Sequence, residues 1–538
     1  MKGCEPLDIK EIVNKYLPLL NVEITNSEKL EKTILEYSEL RESINRQFNY
    51  LYLEEQRNKG STKEILIDSN VINIIKVLNL KIEKKILESP YLINLPHYYN
   101  KFILELNSDH SADNKHFNSI RKTMREYQLL LEGITYKYKN TRFIYKDLEE
   151  LLYSNSKDIR REAWLAINQV RNKYLVDIEK LFKKIIIERN NLASKKGHEN
   201  YKEYVLSNKD KPIGLRNITL NFVETNIVPL KKIYEEKLCE LLNLESLNPW
   251  DVRVDSTNLI YRFANESDFI NVIGESLKGI DLDIYHFFQD VLIDLGNYDI
   301  NVKENKENLN YCTIIGEKEA VPFVFMNLNY SYRDLISFIH EIGHAFHFYS
   351  AYKKTPLKFY SKPQLEIAEI SSMTLELIFI DNLKKNSLLE NNIIKAVEKY
   401  YYSDVLYTLT ASCMFEEFER HIYTEPDSIF SDKFNILMDK YNGIIDMGKY
   451  KTEMNHQWRF SKHIWLIPFY SLEYAISQLI GCLILLDYKN NPIKTLEKFK
   501  FTLSKGNINI NDFLTSMNIE FTKEKLKSVK NFLESKLE

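Results

Sequence analysis

Within 331–350, SYRDLISFIHEIGHAFHFYS, two histidines and a glutamate stand in the order His340-Glu341-Ile342-Gly343-His344. Residues four apart stack on one face of a helix, so His340 and His344 can offer their imidazoles to a single cation. Glu341 lies one step round the same turn, where a carboxylate can hold and deprotonate a water on that cation. His347 falls three residues beyond His344. It lies about 10 Å along the axis from His340, too far for all three to reach one ion easily, and the expected role is to support a ligand or to pack in the core.

An open catalytic zinc site needs a third protein ligand and a position left for water. The next helical stretch, QLEIAEISSMTLELIF (364–379), offers Glu366, Glu369 and Glu376 near one face. Its apolar neighbours suggest burial, and buried carboxylates need partners. These considerations leave Glu366 and Glu369 both open as the ligand. Two capping pairs are expected to start the helices: Ser331 with Asp334, and Ser361 with Gln364, the latter with Pro363 in the first turn.

The HEIGHAFH run and the EIAEISSM segment together resemble the thimet oligopeptidase/oligoendopeptidase F family of zinc peptidases. The resemblance implies one Zn2+ ion held by His340, His344 and Glu369, the last standing 25 residues after His344. It also implies that Glu376 supports a ligand histidine. The likeness extends to VPFVFMNLNYSYRDLISFIHE before and within the histidine helix, the Pro-Trp-Asp segment at 249–251 and the Gly-containing turn LSKGNININD (503–512). One departure is Asn310, where the family often has glycine before the Tyr311-Cys312 pair.

In WRFSKHIWLIPFYSLEYAISQ (458–478), His463, Tyr470 and Tyr474 are spaced by seven and four, as on one helix. Aromatic residues at helical spacing usually build core. The family's H…PFY…Y pattern implies that these three line the zinc site and hydrogen-bond the substrate carbonyl.

The fold implied is mainly α: a large multi-helical body with a deep central channel and a small β-hairpin beside the zinc helix. An N-terminal helical region would span 1–190 and the catalytic region 191–538. The expected function is a zinc metallopeptidase, an endopeptidase cleaving short unstructured oligopeptides. A dipeptidyl carboxypeptidase-type exopeptidase, which needs a cationic pocket for the substrate carboxylate, is the nearest alternative. A non-enzymatic helical peptide-binding protein with structural zinc is another, although a structural site has no use for Glu341.

Composition agrees with a helical scaffold. Gly and Pro total 27 of 538 residues, about 5% where roughly 12% is usual, so turns are few. Apolar periodicity of three and four predicts helices such as the one within 172–193. The segment 308–329 instead predicts a hairpin around Gly316-Glu317-Lys318, with Pro322 suited to an edge strand. Such an edge strand could pair with an extended peptide, and a purely structural hairpin would read the same. A net charge of −3 gives no bulk attraction to nucleic acid or membrane. Five scattered cysteines suit a reducing compartment, and Glu5, Asp8 and Lys10 interrupt any signal-like stretch. The longest late apolar run, 479–486, is far short of the roughly 20 residues a spanning helix needs. The expected location is cytoplasmic.

Overall fold

The computed structural model describes residues 8–57, 69–110, 114–139, 141–143, 145–207, 212–254, 261–303, 306–307, 309–316 and 319–537. Cys4, Glu5, the Glu317-Lys318 corner of the hairpin, and parts of the breaks near residues 60, 112 and 209 lie outside that set. The four described cysteines are free thiols. The chain forms two compact units, each drawn from three stretches of sequence.

The first unit comprises Met1–Ala112, Arg262–Asn386 and Asn490–Met517. One apolar core joins Ile12, Tyr16, Ile34, Tyr37, Ile82 and Phe102 to Leu357 and Tyr360. Its three-stranded sheet has Val321–Leu328 in the centre, parallel to Tyr298–Asn301 on one side and antiparallel to Tyr311–Ile315 on the other. Pro322 therefore sits on the central strand and not on an edge. The reason it is tolerated is local: the parallel neighbour begins pairing only at Val324, so the strand is one-sided at 322. The hairpin edge is Tyr311–Ile315. Asn310 is put to use, its side chain accepting the Asn327 N–H at 3.1 Å.

The central strand leads straight into the histidine helix, Tyr332–Lys354. The expected capping box forms there: the Asp334 carboxylate accepts the N–H groups of Ser331 at 2.8 Å and Asn329 at 3.1 Å. The glutamate helix follows as Leu365–Leu383. Here the second capping pair does not form. Ser361 closes a short 3-10 turn by donating to the Lys358 carbonyl, and Gln364 is an N-cap without a side-chain bond. Pro363 thus precedes the helix. Every residue from Glu366 to Leu383 is buried, so this helix is apolar-packed all round and its acids are held inside.

The second unit comprises Asp113–Tyr261, Ser387–Lys489 and Asn518–Glu538. Its longest helix, Asn391–Thr424, has 34 residues. The helix in the 172–193 region runs Leu175–Lys195 after a 3-10 turn. Phe182, Trp458 and Trp465 pack at ring separations of 4.8 Å from Phe182, and Trp465 stacks on Tyr127 at 3.7 Å. The Pro-Trp-Asp segment is anchored by Asp251, fully buried against Arg160 at 2.6 Å. Ser471–Asn490 is long and apolar enough to cross a bilayer by composition, but its most apolar window is 83% buried, as in a core helix.

Candidate metal centre

His340 and His344 project from the same face of their helix, with ring centroids 4.7 Å apart and planes at 89°. The glutamate helix brings Glu369 to both: Oε2 lies 3.5 Å from His340 Nε2, and Oε1 lies 3.9 Å from His344 Nε2. One ligand atom from each of the three falls within 4.8 Å of the others, and this is the triad found among the described residues. Glu366 is not part of it. His340 Nδ1 is bonded to Glu376 Oε1 at 2.5 Å, leaving Nε2 directed at the triad centre.

The two helices touch because residue 343 has no side chain. A Cβ there would stand 2.6 Å from Ser372 Cα, closer than real contacts allow. Ser371 Oγ donates to the Gly343 carbonyl at 3.1 Å and ties the same crossing.

The donor set suits a zinc-like cation. Two imidazole nitrogens and a carboxylate oxygen are the ligands of open catalytic zinc sites, and a tetrahedral site with bonds near 2.0–2.1 Å has donors about 3.3 Å apart. The observed 3.5 and 3.9 Å need only small closure. The imidazoles keep 22% and 14% side-chain exposure against 8% for Glu369, so one side of the triad remains accessible.

Electrostatics reinforce the case for a cation. Burial opposes protonation of His340, yet the contact with Glu376 and the charges of Glu369 and Glu341 outweigh it and push its pKa up to about 10. Three carboxylates around two imidazoles call for positive charge, which a bound dication would supply in place of that proton. Burial, then the charge of His340, holds His344 well below its usual value, so its ring is neutral. Glu341 is raised to about 7, first by burial; His340 counters this, Glu369 and Glu376 add to it, and the Cys312 N–H partly relieves it. Its Oε2 is buried with no hydrogen-bond partner among the described residues. A carboxyl near 7 suits proton transfer in both directions at neutral pH.

His347 is fully buried and lies outside the triad. Neither ring nitrogen has a hydrogen-bond partner among the described residues, and burial drives its pKa down to about 3. It is a neutral packing group beside Phe348.

In the second unit, His463, Tyr470 and Tyr474 do gather, with centroids 6.1, 5.5 and 5.1 Å apart. They do not share one helix. His463 is on Lys462–Leu466, Tyr474 on Ser471–Asn490, and Tyr470 in the break between them. Pro468 disfavours helical backbone at Ile467, and Phe469 adopts a left-handed φ of +62°, a conformation costing about 1–2 kcal/mol for a non-glycine residue. Burial, then the Lys462 charge, lowers the His463 pKa and keeps the ring neutral. The buried ionisable residues that hold this break, Arg189, Arg216, Glu416, Glu419 and Glu473, carry no local signature in the sequence. Their only trace there is charge set among apolar residues.

Residues 150–525 match the model of peptidase family M3. An oligoendopeptidase F homolog of Lactococcus lactis subsp. lactis is 23% identical over 337 residues, covering 60% of this chain and 54% of that protein. One from Borreliella burgdorferi is 28% identical over 280 residues, covering 51% and 45%. The chain thus spans about half the length of the curated relatives it matches. Among solved structures, PZ peptidase A with inhibitor 2 superposes with a TM-score of 0.86 at 19% identity, over 99% of this chain and 98% of that one. A putative oligoendopeptidase F from Bacillus anthracis gives 0.79 at 18%, over 100% and 97%. At such identities the likeness establishes the fold, and the family match covers well over half of the sequence: the chain belongs to peptidase family M3.

Proposed function

We propose that this chain is a zinc-dependent oligoendopeptidase that hydrolyses short, unstructured peptides. The observation that carries the reading is the triad of His340, His344 and Glu369 with donor atoms within 4.8 Å, beside the buried carboxylate of Glu341 on the same helix turn. His340, His344 and Glu369 would hold the zinc, whose chemistry would be Lewis acidity toward the attacking water and the scissile carbonyl. Glu341 takes the proton of the attacking water and passes it to the leaving amine nitrogen. Glu376 fixes the tautomer and orientation of His340 through Nδ1. The resemblance of the H…PFY…Y segment assigns His463, Tyr470 and Tyr474 the role of hydrogen-bond donors to the substrate carbonyl oxygen, and losing one such donor costs about 10²–10³ in kcat.

The test is Glu341→Gln, read by metal analysis and by mass-spectrometric mapping of cuts in a mixed peptide library. The expected result is metal retained and hydrolysis lost. A wild-type protein that binds metal but cuts nothing would leave a structural zinc site in a peptide-binding protein. Peptides with both ends blocked separate the endopeptidase, which cuts them, from an exopeptidase, which does not.

A further inference from the structure

The chain must turn between Leu466 and Ser471 while placing His463, Tyr470 and Tyr474 within ring contact. We propose that Arg189, Arg216 and Glu419 are positioning residues that fix this turn and thereby the geometry of the three-ring cluster. The inference rests on the proposed role of that cluster in hydrolysis.

Two guanidiniums grip the turn from opposite sides of the break at Pro468. A helix ending at Leu466 leaves its last carbonyls without intrahelical partners, and Ile464 and Trp465 are fully buried, away from water. Arg189, on the helix Leu175–Lys195, donates to both: Nη1 to the Ile464 carbonyl at 3.3 Å, Nη2 to that of Trp465. Its Nη1 is also held by the Tyr423 hydroxyl at 2.9 Å. Beyond the break, both backbone groups of Phe469 are taken by side chains. Arg216 Nη2 donates to its carbonyl at 3.1 Å, and Glu419 Oε1 accepts its N–H at 2.9 Å. The left-handed backbone at 469 is thus held by two helices, Ile213–Phe222 and Asn391–Thr424.

Arg216 reaches further. Its Nε and Nη2 bind Glu416 at 3.2 and 2.5 Å, and its Nη1 binds Glu473 at 2.5 Å. Phe469 immediately precedes Tyr470 and Glu473 immediately precedes Tyr474, so one guanidinium is tied to the residue before each tyrosine. All five ionic residues are at most 4% exposed. Burying two guanidiniums and three carboxyl groups at a helix junction is an expensive way to obtain stability alone, since apolar packing of similar volume serves as well or better. What the ions add is direction: each fixes an atom at a defined angle.

The experiment compares Glu419→Leu, which removes the acceptor, with Glu419→Gln, which keeps a carbonyl oxygen for the Phe469 N–H. Arg189→Lys, which keeps the charge but loses the planar fork, serves as a second variant if Glu419→Leu does not fold. Each is assayed well below its melting temperature, with zinc content measured. We expect Glu419→Leu or Arg189→Lys to lower kcat by about 10- to 100-fold, the scale of a small misplacement, with KM and zinc content near wild type. Glu419→Gln should recover most of the loss. In combination with Tyr470→Phe the losses should be less than multiplicative, because Glu419 holds Phe469, the residue before Tyr470, and so acts through that hydroxyl. If Tyr470→Phe lowers kcat while Glu419→Leu and Arg189→Lys leave it unchanged, or if the losses multiply, the positioning role is wrong. If neither Tyr470→Phe nor Tyr474→Phe changes kcat, the cluster's catalytic role fails, and this inference fails with it.

Discussion

Gly343 and Ser372 are the point at which the two ligand-bearing helices meet: a Cβ on residue 343 would lie 2.6 Å from Ser372 Cα and 3.2 Å from its backbone nitrogen. Neither atom belongs to a side chain that can rotate away, so Gly343→Ala must push the helices apart. Alanine would gain about 1 kcal/mol in helix propensity, whereas overpacking of this kind costs about 1–3 kcal/mol. The balance favours a net loss. Separation of the helices also moves Glu369 from His340 and His344, so metal affinity should fall along with the melting temperature. A variant that melts as wild type and holds zinc as tightly would show that the crossing does not set the site.

Glu376 touches the metal site only through His340. Its carboxylate fixes which ring nitrogen carries the proton and leaves Nε2 free to bind a cation. Partners of this kind typically contribute about 10- to 100-fold in metal affinity. Glu376→Ala should weaken zinc binding by that order in a chelator competition. Glu376→Gln, which keeps a neutral acceptor for Nδ1–H, should fall between the variant and the wild type. Equal affinities for all three would remove Glu376 from the site.

The local parts of this arrangement are legible in the sequence and the long-range parts are not. The i, i+4 spacing of His340 and His344, the Ser331–Asp334 cap and the hairpin each depend on residues a few positions apart. Glu369 is different. Residue pattern alone leaves it level with Glu366, because the choice is made by how the chain re-enters after Ser361, where a 3-10 turn takes the place of the expected cap. The register of the tyrosine segment is similarly hidden: seven-and-four spacing suggests one helix, and Pro468 with a left-handed Phe469 converts it into two. Arg216 meets partners 200 and 257 residues away, a relation without a local signature. Each of the two units is likewise assembled from stretches far apart in the chain.

His347 makes a prediction about acid stability. Its pKa is about 3 in the folded protein, because burial excludes the charged form, against about 6.5 when unfolded. Above 6.5 both states are neutral and the group has no effect on stability. As pH falls from 6.5 toward 3, the unfolded chain takes up a proton that the folded chain refuses, and stability is lost. His347→Leu, similar in volume and unable to titrate, should flatten that acid limb by up to about one proton per molecule. It should be no less stable at neutral pH, since two unpartnered buried nitrogens are removed. Denaturant titrations of both metal-free proteins across this range would check it, and parallel acid limbs would mean the ring is hydrogen-bonded and protonated in the folded state.

Glu419 predicts the opposite limb. Its carboxyl is raised to about 8, chiefly by burial; the Phe469 N–H lowers it, Glu416 raises it, and Arg189 and Arg216 lower it less. An unfolded glutamate titrates near 4.3. Between those values the folded protein keeps a proton that the unfolded chain has released. The stability linked to this group is therefore complete below about 4.3 and shrinks as pH rises to about 8, beyond which it is constant. Glu419→Gln retains the acceptor but cannot ionise, so its stability relative to wild type should rise steadily from pH 5 to pH 8, whatever the fixed offset between them. Because the comparison is one of slopes, a constant cost from the new amide nitrogen does not disturb it. If the two curves run parallel over that range, Glu419 is already ionised in the folded protein, its charge balanced by Arg189 and Arg216 across the turn.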